Sequence, residues 1–270
     1  MAVSDFGATG LVVLLSILCY FGFDKDLGRQ LAFTGLLSFS LNGILKDALR
    51  FTRPIGQTGI RTVNAEDVQV GYSPSGYNYS YSMPSGHSQT SATTWSTLGF
   101  YYKRFAVWLT GILITLLIGV SRLYLGVHYP TDVLAGILLG FTVAGLSALA
   151  THYLWDVKLF YGAAAALLLA SLFISSPSTD TIKGVGALCG LVVGCTIDDR
   201  FVDYRHSNTS AHNYITLAGA ILLMGGMYLL MKQFVPVTPI WDFARYFVLL
   251  FTASGPYPAL VMFIRYREKD

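Results

Sequence analysis

Hydrophobic and polar positions along this chain do not alternate; they come in blocks. Nine stretches lack Asp, Glu, Lys and Arg and are mostly apolar: residues 7–23, 30–45, 84–102, 105–121, 133–155, 159–179, 184–197, 211–231 and 246–264. A bilayer-spanning helix needs about 20 such residues, and most of the nine come close to that length. The run 184–197 is shorter and rich in glycine, which predicts a span that tilts, packs tightly or crosses only in part. Backbone groups in hydrocarbon must be satisfied within the segment, so helices are the expected form. The ten-residue alternating strands of a membrane barrel are absent. The pattern predicts an all-α, polytopic membrane helix bundle with about nine transmembrane helices.

Two polar stretches separate these blocks most clearly. Residues 53–83 contain Gly56, Gly59, Gly71 and Gly76, then "YNYSYS". That suits an ordered interfacial loop with Tyr77, Tyr79 and Tyr81 near the headgroups. The second, "DDRFVDYRHSNTSAH" at 198–212, reads as a loop on the opposite face. Nine crossings put the two termini on opposite sides. Eight Lys and Arg then share the side of the N-terminus and ten lie on the other, or five against ten once three are assigned to a site. The positive-inside rule puts the C-terminus in the cytoplasm and the N-terminus outside or in a lumen. The first apolar run has no basic leader and reads as a spanning helix rather than a cleaved signal.

Composition narrows the class further. Of 270 residues 53% are hydrophobic and only 12% charged, about half the charged fraction of a soluble domain. The net charge of +3 is small and scattered, which argues against a nucleic-acid partner. Cys19, Cys189 and Cys195 lie in apolar runs without a pairing framework, so they read as buried thiols. His152, His206 and His212 fall on the expected cytoplasmic side and read as interfacial. Asn78-Tyr-Ser80 and Asn208-Thr-Ser210 fit a glycosylation triplet that chance often produces.

Candidate chemistry gathers in three clusters, each with an ordinary reading of its own. "KDALRFTRP" holds Lys46, Arg50 and Arg53; single cations at a helix end commonly snorkel to the interface. Lys46 and Arg53 are two helical turns apart and would share a face if the helix ran on, but Pro54 is expected to end it. "PSGH", residues 84–87, is a turn and a helix start. Ser85 can cap the helix by accepting a backbone N–H, and Gly86 lets a ligand approach the backbone. A helix N-terminus is also an anion site, with His87 in its first turn. "SRLYLGVHYPTD", residues 121–132, carries Arg122 and His128, then Pro130 at a first helical position. Asp132 follows in the first turn, where the dipole favours it. It also lies close enough to bond one nitrogen of His128 and fix its tautomer.

Together the clusters change the picture. Fixed cations and amides can hold a phosphoryl group, and two histidines can divide nucleophilic attack from protonation of the leaving oxygen. Phosphoryl transfer needs mainly positioning and neutralised charge. No grouping here has metal-ligand spacing, and no cofactor is implied.

These residues resemble the type 2 phosphatidic acid phosphatase family of the lipid phosphate phosphatase superfamily. Its Lys-x6-Arg-Pro motif fits Lys46 to Pro54, Pro-Ser-Gly-His stands unaltered at 84–87, and Ser-Arg-x5-His-x3-Asp fits Ser121 to Asp132. The match covers roughly residues 30–150. "YSMPSGH" and "SRLYLGVH" look most like the bacterial and sphingoid-phosphate phosphatase branches. The resemblance implies a six-helix core and a phosphohistidine mechanism. His128 would be the nucleophile, oriented by Asp132, and His87 the general acid. Lys46, Arg53, Arg122, Ser85 and the Gly86 amide would bind the phosphoryl oxygens, and Arg50 could assist.

The expected organisation is a phosphatase core at 1–156 with further transmembrane helices at 157–270. The expected activity is metal-independent dephosphorylation of a membrane lipid phosphate or diphosphate at the extracytoplasmic or luminal face. Substrate candidates are phosphatidic acid, phosphatidylglycerol phosphate, a sphingoid-base phosphate and undecaprenyl diphosphate. A phosphotransferase, a sugar-phosphate phosphatase of the same superfamily and a non-catalytic lipid-binding protein are the alternatives. The bilayer is the expected partner, with homo-oligomerisation left open.

Overall fold

A computed structural model of the chain describes residues 8–55, 57–60, 72–73, 76–77, 81–154, 157–173 and 177–267. Among these the regular secondary structure is helical apart from one hairpin, in which Tyr72–Ser73 pairs antiparallel with Gly76–Tyr77. The helices are α1 Ala8–Leu18, α2 Lys25–Leu49, α3 Gly86–Tyr102, α4 Phe105–Tyr124, α5 Pro130–Tyr153 and α6 Val157–Ser171. They continue as α7 Thr179–Ile197, α8 Ser210–Phe234, α9 Pro239–Ser254 and α10 Pro256–Arg267. Within the described residues each apolar stretch is helical over most of its length, and the last is split at Gly255. Pro256 explains the break, since proline lacks a donor and disfavours α geometry in the residue before it. More than half of the expected interfacial loop at 53–83, including Tyr79 and the triplet at Asn78, lies outside the described residues.

Among the described residues five helical segments are long and apolar enough to cross a membrane: α4, α5, α7 with the π-helical turn Asp198–Val202 that extends it, α8, and α9 together with α10. The turn brings charged residues of the predicted 198–212 loop into helical form. It does so because Asp198 is buried under partners from α2 and from the turn Cys19–Phe23 before it, described below. α2 and α3 fall short of that apolarity for a specific reason. They carry Ser38, Ser40, Asn42, Ser88, Gln89, Thr93 and Thr97, all buried inside the bundle. Gln89 Nε2 donates to the Ser38 carbonyl (2.7 Å), and Asn42 Nδ2 donates to Gln89 Oε1 (2.6 Å) and the Pro84 carbonyl (3.2 Å). Each such bond is worth a net of about 1 kcal/mol, but an unpaired buried partner would cost about 1–3 kcal/mol. The ladder therefore locks α2 against the entry to α3.

The apolar core joins Phe33, Leu36 and Leu37 of α2 to Tyr161 and Leu168 of α6 and Val185, Leu188 and Leu191 of α7. Outward positions such as Leu113, Leu117, Ile215 and Leu222 stay exposed, as a lipid-facing surface requires. Lipid is as apolar as leucine, so close packing of small residues must hold such helices together. The glycine-rich run shows how. Gly186, Gly190 and Gly194 of α7 lie against the α9 backbone at Phe243, Phe247 and Phe251, so this segment packs tightly. The same device places the candidate site. A Cβ on Gly136 of α5 would stand 2.5 Å from the Ser85 carbonyl, and one on Gly140 would stand 2.9 Å from the Ala92 methyl. Only bare backbone at these positions lets α3 start directly beside the start of α5.

Candidate active site

The C-terminal ends of α2 and α4 and the N-terminal ends of α3 and α5 meet at one end of the bundle. α2 stops at Leu49, where Arg50 takes a left-handed backbone (φ 54°) and its N–H bonds the Lys46 carbonyl at 3.0 Å. Lys46 thus occupies the last turn. Arg53 follows in non-helical chain, and its Nη1 turns in to 3.2 Å from the Val127 carbonyl and 3.4 Å from His128 Nε2. The shared helical face that the spacing of Lys46 and Arg53 permits is not the device used; the loop delivers Arg53. Arg50 is exposed and bonds the Asp47 carbonyl through Nε.

Ser85 stands at the N-cap position of α3, yet its side chain makes no capping bond. This corrects the expectation of a Ser85 cap. Its Oγ instead lies 3.0 Å from Ser88 Oγ, and its backbone N–H bonds the Asp132 carbonyl at 2.9 Å. The first amides of α3, Gly86 to Ser88, precede the intrahelical ladder. Together with the positive end of the helix dipole they form a natural anion seat. His87 is half-buried in that first turn, within electrostatic range of Arg122, His128, Lys46 and Arg53. Arg122 sits in the last turn of α4 and its Nε donates to Ser121 Oγ at 3.2 Å.

His128 occupies the short α4–α5 connection, and Asp132 the first turn of α5 behind Pro130. Both are buried. Asp132 Oδ2 accepts the Tyr129 N–H at 2.8 Å and the Ser82 hydroxyl at 2.5 Å, with His128 Nδ1 at 3.4 Å. The predicted His128–Asp132 contact is therefore present, but it is the longest of the three. Ser82 Oγ also lies 3.3 Å from His128 Nδ1. Arginine can only donate, so Nε2 facing Arg53 must be the unprotonated nitrogen, and Nδ1 carries the hydrogen. Burial, with the charges of Arg53 and Lys46, pushes the His128 pKa down to about 4 against the pull of Asp132. The ring is neutral at pH 7 with a free lone pair on Nε2. Burial also lowers Arg53 to about 10, which leaves it a cation.

Every predicted site residue thus lies at this end: Lys46, Arg53, Ser85, Gly86, His87, Arg122, His128 and Asp132. Sequence reasoning missed Ser82. It stands near the end of the polar stretch before Pro84, but nothing in its spacing sets it apart from the neighbouring serines. It also missed Asp47, whose Oδ2 accepts the Ser178 N–H (2.9 Å) and the Thr181 hydroxyl (2.7 Å) and so ties the start of α7 to the turn that carries Lys46. Among the described residues no three His, Cys, Asp or Glu side chains converge as a metal site would require.

The family model described as PAP2 superfamily matches residues 27–156, and that described as PAP2 superfamily phosphatase, transmembrane extension, matches residues 182–269. The chain is 35% identical over 85 residues to phosphatidylglycerophosphatase B of Bacillus subtilis, covering 28% of this chain and 41% of that protein. It is 32% identical over 119 residues to undecaprenyl-diphosphatase of Sulfolobus acidocaldarius, covering 44% and 54%. It is 30% identical over 125 residues to lipid A 1-phosphatase of Rhizobium johnstonii, covering 46% and 47%. The chain spans about half the length of these curated relatives. No solved structure matches it. The two family models together take in every predicted site residue and the helices packed behind them, so the chain belongs to the PAP2 superfamily and carries its transmembrane extension.

Proposed function

We propose that this protein is a metal-independent phosphatase of membrane lipid phosphates or diphosphates, working through a phosphohistidine. The observation that carries this reading is the orientation of His128, whose free Nε2 faces Arg53 while Nδ1 is held from behind. Lys46, Arg53, Arg122 and the α3 amides at Gly86 seat the phosphoryl oxygens, with Ser85 at the same turn. Nε2 of His128 attacks phosphorus, the P–O bond to the leaving group breaks, and His87, which takes up a proton once the substrate's negative charge is seated beside it, gives that oxygen its proton. Water then attacks phosphorus, passes a proton to His87, and releases phosphate and neutral His128. The three cations do the electrostatic work that phosphoryl transfer demands.

Family membership and the names of the three relatives support a lipid phosphate substrate. The lipid-facing helices let a substrate keep its tail in hydrocarbon while the headgroup reaches the helix ends. The charge asymmetry of the sequence supports an extracytoplasmic or luminal site, with the division at residue 156 separating the chemistry from the supporting helices. The test is phosphate release from phosphatidylglycerol phosphate, undecaprenyl diphosphate, phosphatidic acid and a sphingoid-base phosphate, in excess chelator and without an acceptor alcohol. At least one should be hydrolysed, with a phosphoenzyme that is acid-labile and alkali-stable. Turnover that needs an added divalent ion, or an acceptor, would overturn the reading.

A further inference from the structure

We propose that Ser82 is a positioning residue for the nucleophile, acting as the link through which Asp132 orients His128. This rests on the reading of His128 as nucleophile. Asp132 Oδ2 can only accept, so the single hydroxyl hydrogen of Ser82 points to it across 2.5 Å. Towards His128 Nδ1, at 3.3 Å, Ser82 can then offer only a lone pair. Nδ1 must therefore carry hydrogen, and Nε2 must not. The Arg53 contact demands the same tautomer independently, because Nη1 is a donor facing Nε2 at 3.4 Å.

The direct carboxylate contact to Nδ1 is 3.4 Å, longer than the two other bonds to the same oxygen. Asp132 on its own therefore holds the ring weakly, and Ser82 Oγ at 3.3 Å is a second contact behind the imidazole. Ser82 is itself fixed. It is fully buried, and its backbone N–H bonds the Phe51 carbonyl at 2.7 Å. That bond joins the strand of chain leaving α2, which carries Arg53, to the stretch entering α3, which carries His87. One serine thus connects the three motif-bearing segments at the imidazole.

The experiment compares Ser82→Ala, Ser82→Thr, Asp132→Asn, the Ser82→Ala/Asp132→Asn double variant and His128→Ala in the full chain. Undecaprenyl diphosphate and phosphatidic acid in detergent micelles are the substrates, and inorganic phosphate is the product inhibitor. Ser82→Ala should lower kcat roughly 10- to 100-fold, the loss expected when a buried Nδ1–H loses its acceptor. KM and phosphate inhibition should stay within about threefold, because the cations are untouched. Ser82→Thr keeps the hydroxyl and should recover most of the turnover. In the Asp132→Asn background the serine substitution should cost much less, since both act through one imidazole. Wild-type kcat in Ser82→Ala, a rise in KM alone, a threonine variant as slow as alanine, or fully additive losses would each overturn the role of Ser82. Wild-type turnover in His128→Ala would instead overturn the reading on which it rests.

Discussion

The two ends of the bundle use the same residue types to opposite effect. At the far end from the candidate site, Asp198 is fully buried and accepts Lys25 (2.9 Å), Arg29 (2.5 Å) and the Tyr20 hydroxyl (2.9 Å). Asp199 takes Arg29 (2.7 Å) and Lys158 (3.1 Å). Cations and carboxylates alternate there and clamp α2, α6 and the turn Cys19–Phe23 that follows α1 to the end of α7. At the site end, Lys46, Arg53 and Arg122 gather near the buried Asp132, whose Oδ2 is already engaged by Ser82 and Tyr129, while Asp47 and Asp180 act on Lys46 from the same end. The far cluster spends its carboxylates on direct ion pairs between helical segments and stabilises the fold. At the site end the buried carboxylate is spent on a serine and a backbone amide, and the cations stand beside the α3 amides where an anion can be seated.

Substitutions can break that contrast in order of size. His128→Ala should reduce turnover by roughly 10⁴-fold or more, as removal of a nucleophile does, while leaving the melting temperature in detergent nearly unchanged. Asp198→Ala should do the reverse. It strands Arg29 and Lys25 without their shared partner and should cost about 3–5 kcal/mol of stability, read as a lower melting temperature with turnover per folded molecule preserved. Asp47→Ala tests the seam between the two matched regions. It removes the acceptor of Ser178 and Thr181, with an expected loss of about 1 kcal/mol and a fall in kcat/KM of no more than about fivefold.

The pH profile sharpens the comparison with the gentlest perturbation. His128 is faced by Arg53 and Lys46 from the α2 side, His87 from α3 and Asp132 from α5. Its folded pKa is depressed to about 4, so the nucleophilic neutral ring persists as pH falls through the ordinary histidine range. Activity should therefore decline on the acid side near pH 4 rather than near 6.5. An acid limb at 6.5 would mean that the ring is solvated and unpartnered during turnover.

Local patterns carried much of this picture on their own. Unbroken apolar blocks dictate helices wherever water is absent, which is why, within the described residues, each predicted stretch is helical over most of its length. Residue types at fixed spacing pointed to the same cluster that the fold assembles, because a helix end or a turn constrains its neighbours within a few residues. Long-range partners were not legible in this way. No spacing marks Ser82 as the bridge to Asp132, Asp47 as the anchor of α7, or Asp198 as the hub that keeps the 198–202 segment helical. Nor does any pattern tell that Ser85 leaves its helix uncapped, since the choice between a backbone amide and Ser88 depends on what α5 presses against it.

By itself the sequence determined which segments are helical, which can lie in lipid, and which side chains are able to do phosphoryl chemistry. The tertiary structure alone decided how those side chains face one another: the tautomer of His128, the loop delivery of Arg53 and the engagement of Asp132 by Ser82. The physical reason is range. Helix formation is settled by bonds four residues apart, whereas the site's geometry is settled by contacts between groups dozens of residues apart, made possible where Gly136 and Gly140 let two helix ends touch.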